Sequence, residues 1–221
     1  MKATEILVQI PVGKLKLEGG LTIPQDAYGL VLFAHGSGSS RKSPRNRYVA
    51  QVLNEAGIAT LLFDLLTAEE EVIDERTREL RFNIELLSER LEKATDWVIK
   101  NSTTKNLNLG YFGASTGAAA ALIAETRTPH LIRAIVSRGG RPDLAHSHLP
   151  KVKAPTLLLV GGLDEIVIEL NERALSHLTC PKKLVIIKDA THLFEESGTL
   201  EEVAETARDW FLKYFSKSRF L

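Results

Sequence analysis

An α/β fold built on a mostly parallel eight-stranded sheet, with helices on both faces, is predicted by three observations. Short continuous apolar runs, Gly29 to Ala34, Ile58 to Phe63 and Pro155 to Val160 among them, read as strands buried on both faces. Between the runs lie stretches with helical spacing, as in Leu80, Ile84, Leu87, Leu91, Ala94 and Val98. Strands that alternate with helices in this way are parallel and joined by right-handed crossovers, which leaves helices above and below one sheet.

In chain order, Glu5 to Ile10 and Lys14 to Leu17 read as short strands separated by Pro11 and Gly13, an antiparallel start to the sheet. Gly29 to Ala34 follows and ends in the glycine-serine loop His35 to Ser40. Ser43 as N-cap and Pro44 at the first helical position open a helix whose apolar face is Tyr48, Val49, Val52, Leu53 and Ala56, and Gly57 stops it. Ile58 to Phe63 is the next strand. Ala68 to Arg81 is heavily charged, and its Glu69 to Glu71 run reads as a solvated helix start or loop. The helix read from Leu80 delivers the chain to a strand at Leu107 to Tyr111, a tight turn and an Ala-rich helix. Ala134 to Ser137, Pro155 to Val160 and Leu184 to Ile187 complete the strands. A helix with Val167, Leu170, Asn171, Ala174, Leu175 and Leu178 on its inner side precedes the last of them. Thr199 to Glu202 reads as the capping box of a closing helix that buries Val203, Ala207, Trp210, Phe211 and Tyr214.

The 221 residues fit one domain spanning 1–221, with no loop long enough for a separate cap. Lys plus Arg and Asp plus Glu number 28 each, so no overall field draws nucleic acid or an anionic membrane surface. No secretory signal pattern and no apolar run of membrane-spanning length is found, and a cytoplasmic protein is expected. Cys180 is the only cysteine, which excludes an intrachain disulfide and a cysteine-based metal site. Composition says nothing about oligomeric state.

The turn between the central strand and the Ala-rich helix is Gly113-Ala114-Ser115-Thr116-Gly117, a G-x-S-x-G pattern. Strand before and helix after are the context that a nucleophile elbow requires, with glycines where a side chain would strike the neighbouring strand or helix. On this segment, and on the order of strands and loops around it, the sequence resembles an α/β-hydrolase, and within that superfamily the capless dienelactone-hydrolase-like members. Ser115 stands where true dienelactone hydrolases carry cysteine, so the resemblance implies serine-esterase chemistry.

A serine hydroxyl needs a base within reach and a third group that fixes the tautomer of the base. Ser115, Asp164 and His192 occur in the order of this fold, each in the loop after a predicted parallel strand, so all three lie on one edge of the sheet. Asp143, after the preceding strand, is the competing acid; Asp164 is favoured because Gly-Gly-x-Asp after its strand matches the family's usual place. Asp64 and Asp189 read as strand-end caps. His146 and His148 lack a third metal ligand. The oxyanion donors expected are the N–H of Thr116 and, from the His35-Gly36-Ser37-Gly38 segment that resembles the family's HGxG, the N–H of Ser37, with Gly36 or Gly38 as alternatives. His35 is expected to pin its loop.

The expected function is hydrolysis of a small carboxylic ester, lactone or thioester through an acyl-enzyme, with short acyl groups preferred and no cofactor or metal. An acyltransferase or peptidase with the same triad, or a non-catalytic small-molecule-binding scaffold, are the alternatives. Arg138 and Arg141 on one side, and Arg41, Lys42, Arg45 and Arg47 on the other, flank the expected cleft. They read either as solvated residues paired with Glu69 to Glu71 or with Glu195 and Glu196, or as a fork for a substrate carboxylate or phosphate. The second reading agrees with the anionic substrates of dienelactone hydrolases.

Overall fold

The computed structural model describes residues 3–215. Its eight-stranded sheet has the order β1-β2-β4-β3-β5-β6-β7-β8. The strands are β1 (Glu5–Val12), β2 (Leu15–Thr22), β3 (Gly29–Ala34), β4 (Ile58–Phe63), β5 (Asn108–Ala114), β6 (Ile132–Arg138), β7 (Thr156–Gly161) and β8 (Lys182–Ile187). β1 and β2 pair antiparallel, as do β2 and β4, and from β4 to β8 every pairing is parallel. β1 and β2 run longer than the sequence indicated. Gly19 and Gly20, which resemble a turn, are paired within β2 to β1 on one side and to β4 on the other.

Helices α1 (Pro44–Glu55), α2 (Ala68–Thr77), α3 (Ile84–Lys100), α4 (Thr116–Arg127), α5 (Glu165–His177) and α6 (Thr199–Phe215) alternate with the strands, and a 3₁₀ stretch follows β6 (Pro142–Lys151). On one face of the sheet α3 and α4 cover Leu32, Leu61 and Tyr111 with Leu87, Leu91, Val98 and the alanines of α4. α4 is buried from Thr116 to Glu125, because alanine lets it lie close against both the sheet and α3. On the other face α1 and α6 enclose Phe33, Phe112 and Val136 with Val49, Leu53, Trp210, Phe211 and Phe215.

Helix ends follow their caps. Ser43 accepts from Asn46 N–H at the start of α1, with Pro44 behind it. The charged segment after β4 is a helix, α2, with Glu69 to Glu71 in its first turn, the helix start that was one of the two expected readings; a capping box opens it, in which Thr67 and Glu70 satisfy one another's backbone N–H groups. One local expectation is corrected. The box expected at Thr199 to Glu202 is not formed: Thr199 is already helical, its hydroxyl donates to the Glu196 carbonyl, and the Glu202 N–H goes to the Gly198 carbonyl. The long helix α3 begins at Ile84, where Asn83 caps Leu86 N–H, four residues after Leu80.

Candidate active site

Because β3 and β5 to β8 are parallel, their C-terminal ends share one edge, and the loops that leave it carry the candidate residues. β5 turns sharply into α4 at Ser115, whose backbone has φ 50° and ψ −121°. That is a conformation non-glycine residues rarely adopt, with a cost of order 1–3 kcal/mol. Packing enforces it. A Cβ on Gly113 would collide with the Ala118 backbone, and one on Gly117 with the carbonyl oxygens of Ala34 and His35. The turn is therefore wedged between β3 and the first turn of α4, and Ser115 is half-buried among buried neighbours.

The loops after β7 and β8 are adjacent because the strands are. Leu163 N–H donates to the Ala190 carbonyl at 2.9 Å and Gly162 N–H to that of Ile187 at 2.8 Å. Between these loops His192 Nδ1 meets Asp164 Oδ2 at 2.6 Å. The Asp164 side chain is 17 % exposed and that of His192 41 %. The bond assigns the proton to Nδ1 and leaves Nε2 free to accept. Asp143, the competing acid, is held elsewhere: Arg141 donates to both of its carboxylate oxygens at 2.8 Å.

The loop after β6 touches both halves of the site. Ser115 N–H donates to the Arg138 carbonyl at 3.3 Å, and Arg141 N–H to the Ser115 carbonyl at 3.0 Å. A Cβ on Gly139 would lie 3.6 Å from His192 Cε1, so this backbone runs along the imidazole. Ser115 Oγ makes no hydrogen bond among the described residues. Such contacts between nucleophile and base are often long in ligand-free enzymes and tighten with substrate.

Comparison with known proteins bears on the same architecture. Residues 27–212 match the alpha/beta hydrolase domain family. The chain belongs to the α/β-hydrolase family. Within it the chain is a dienelactone-hydrolase-like member: a dienelactone hydrolase from Anabaena variabilis has 61 % identity and a TM-score of 0.95 over 97 % of this chain and 99 % of that one. Est1E from Butyrivibrio proteoclasticus, with ferulic acid bound, shares the fold at a TM-score of 0.80 and 18 % identity, over 95 % of this chain and all of that one. A protein of Mycobacterium tuberculosis (strain ATCC 25618 / H37Rv) named "Putative phosphoribosyl transferase" is 55 % identical over 207 residues, 94 % of this chain and 46 % of its own. The chain thus spans about half the length of the curated relatives it matches.

Further hydrogen bonds fix the loops around this edge. His35 is buried at the end of β3; its Nδ1 donates to the Gly36 carbonyl at 2.9 Å and its Nε2 accepts from Leu65 N–H at 3.0 Å, which requires the neutral ring. Burial above all holds its pKa below the usual imidazole value. Asp64 accepts from the Arg41 N–H at 2.7 Å and from its guanidinium, fixing the far end of the same loop. Ser37 N–H donates to Thr116 Oγ1 at 3.0 Å. Asn171, fully buried on α5, donates to the Val167 and Gly140 carbonyls and so tethers the loop that backs Ser115. Only its place on the inner face of a helix marked Asn171 in the sequence. The Thr116 hydroxyl had no mark at all.

Of the expected anion-binding residues, Arg141 has its fork on Asp143, which raises its pKa. Arg138 is buried, with Nε and Nη1 unpartnered. Among the described residues no group of three or more His, Cys, Asp or Glu side chains is arranged to hold a metal, and no helix is long and apolar enough to cross a membrane.

Proposed function

We propose that the chain is a serine hydrolase that cleaves a small carboxylic ester, lactone or thioester through an acyl-enzyme. The observation that carries this reading is the pairing of a strained serine at the strand-to-helix turn with a 2.6 Å imidazole-carboxylate bond on the same edge. Ser115 Oγ attacks the carbonyl carbon while His192 Nε2 takes its proton, and Asp164 stabilises the imidazolium that results. The tetrahedral oxyanion is held by Thr116 N–H and by Ser37 N–H, which exchanges its Thr116 Oγ1 acceptor for the oxyanion. It collapses as the C–O or C–S bond breaks and the leaving group takes the proton from His192. Water, deprotonated by His192, then attacks the acyl-serine, and the same steps release the acid and free Ser115.

The esterase names of structural neighbours support the reading through the fold alone. The transferase name belongs to relatives more than twice as long as the matched region, so it bears on the longer proteins rather than on this sheet edge. A fluorophosphonate probe followed by peptide mapping tests the proposal. An adduct on Ser115 is expected; an unlabelled protein, or an adduct elsewhere, would favour a binding scaffold without chemistry.

A further inference from the structure

Of the buried residues on α5, Val167, Asn171 and Ala174, only Asn171 is polar. Asparagine is a poor choice for a helix interior, and a buried amide is costly unless it is bonded. Asn171 is fully buried, and its Nδ2 donates to the Val167 carbonyl at 2.8 Å, one turn back in the helix, and to the Gly140 carbonyl at 3.0 Å, outside it. The orientation is fixed, since turning the amide over would set its oxygen against two carbonyl oxygens.

Gly140 lies in a segment that touches the whole candidate triad. Two residues before it, the Arg138 carbonyl accepts from Ser115 N–H at 3.3 Å; one residue after it, Arg141 N–H donates to the Ser115 carbonyl at 3.0 Å. Gly139 between them has φ 51°, and a Cβ there would lie 3.2 Å from the His192 carbonyl oxygen and 3.6 Å from His192 Cε1. A Cβ on Gly140 would collide with Ser137 Oγ and Ala118 Cβ, so the segment is seated directly on β6 and α4. Asn171 holds it from α5. That helix begins at Asp164, whose carbonyl accepts from Ile168 N–H at 2.9 Å in its first turn. One buried amide therefore joins the helix that starts at the acid to the segment that clamps the nucleophile's backbone and runs along the imidazole.

From this geometry we infer that Asn171 is a positioning residue, which fixes the Arg138 to Arg141 segment and through it the placing of Ser115 against the His192 and Asp164 pair. The inference rests on the hydrolase reading and adds to it a residue that touches neither the substrate nor the reacting atoms.

The test separates the bond to Gly140 from the stability of α5. Asn171→Ala loses both bonds, whereas the hydroxyl in Asn171→Ser can still reach the Val167 carbonyl within its own helix but not Gly140. Ala174→Gly weakens the same helix and leaves the bond to Gly140 in place. Rates on 4-nitrophenyl acetate are referred to sites counted by fluorophosphonate labelling. In both Asn171 variants kcat per site should fall ~10-fold or more with KM little changed, the scale of a small misplacement of reacting groups. Ala174→Gly should lower the melting temperature and keep the wild-type kcat. Should Asn171→Ala fail to fold, Asn171→Ser carries the comparison. A wild-type kcat in Asn171→Ser would overturn the inference, as would a change confined to KM. An equal fall in Ala174→Gly would also overturn it, because the loss would then be one of helix stability. Wild-type protein that is not labelled at Ser115 would sink the hydrolase reading and this inference together; labelled wild type with an unaffected Asn171→Ser sinks the positioning role alone.

Discussion

The N–H of Ser37 and the hydroxyl of Thr116 are joined by a 3.0 Å hydrogen bond across 79 residues of sequence, which ties the loop after β3 to the turn that carries Ser115. Thr116 thereby acts twice in the proposed site, through its own N–H and through a hydroxyl that anchors the Ser37 loop in the free enzyme and gives up the Ser37 N–H to the oxyanion. Thr116→Val keeps the shape and removes the acceptor. It should lower kcat by ~10-fold with KM little changed, less than the ~10²–10³-fold seen when an oxyanion donor is lost outright. Thr116→Ser should restore most of the rate. Steady-state kinetics on 4-nitrophenyl acetate check this, and an unchanged kcat in the valine variant would separate the Ser37 loop from the oxyanion.

The two candidate acids are distinguished by their partners. Asp164 is bonded to His192, whereas Asp143 is clamped by Arg141. Asp164→Asn should therefore cost on the order of 10⁴ in kcat, as for triad acids generally, and Asp143→Asn far less. The reverse ranking in the same assay would move the acid to the loop after β6.

His35 gives stability a pH dependence. Buried and bonded as a neutral ring, it has a folded pKa below the imidazole value of 6.5. Above that value both folded and unfolded states hold it neutral, and its contribution is fully present. As pH falls below 6.5 the unfolded chain takes up the proton first, and the contribution is lost down to the folded pKa. Melting temperatures between pH 7.5 and pH 5.5 should fall more for the wild type than for His35→Asn; parallel curves would contradict it.

Acyl-chain length follows from what lines the cleft. A hydrophobic tunnel would gain ~0.8 kcal/mol for each CH₂ buried. The cavity beside the Ser37 loop instead mixes Leu65, Leu66 and Leu87 with Glu71, Asp74 and Glu75, and burial holds the Glu71 pKa above the usual carboxylate range. kcat/KM should fall beyond medium-chain 4-nitrophenyl esters. A steady rise through long chains would require an apolar channel elsewhere.

Elements with strong local signals were legible in the sequence. Ser43-Pro44 starts α1 as read, and the runs at Gly29 and Ile58 are strands with those bounds. The sequence pattern ends β2 early because its outer half alternates with lysine and its inner half passes through two glycines, which only pairing on both sides makes extended. Thr199-x-x-Glu202 has the spacing of a capping box, yet the chain enters α6 one residue earlier, so the box has no free N–H to satisfy. In the candidate site, residue types and chain order pointed to Ser115, Asp164 and His192, since parallel strand ends share an edge. Side-chain pairing was not legible. Nothing in the sequence separates Arg141, clamped by a neighbour two residues away, from Arg138, buried with open donors.

The central claim, that Ser115 is the nucleophile, is tested most directly by Ser115→Ala with an activated ester. kcat should fall by ~10⁴-fold or more while the melting temperature stays within a few degrees of wild type, because the hydroxyl supplies chemistry and bonds to no neighbour among the described residues. Turnover near the wild-type rate in a folded Ser115→Ala protein would contradict it.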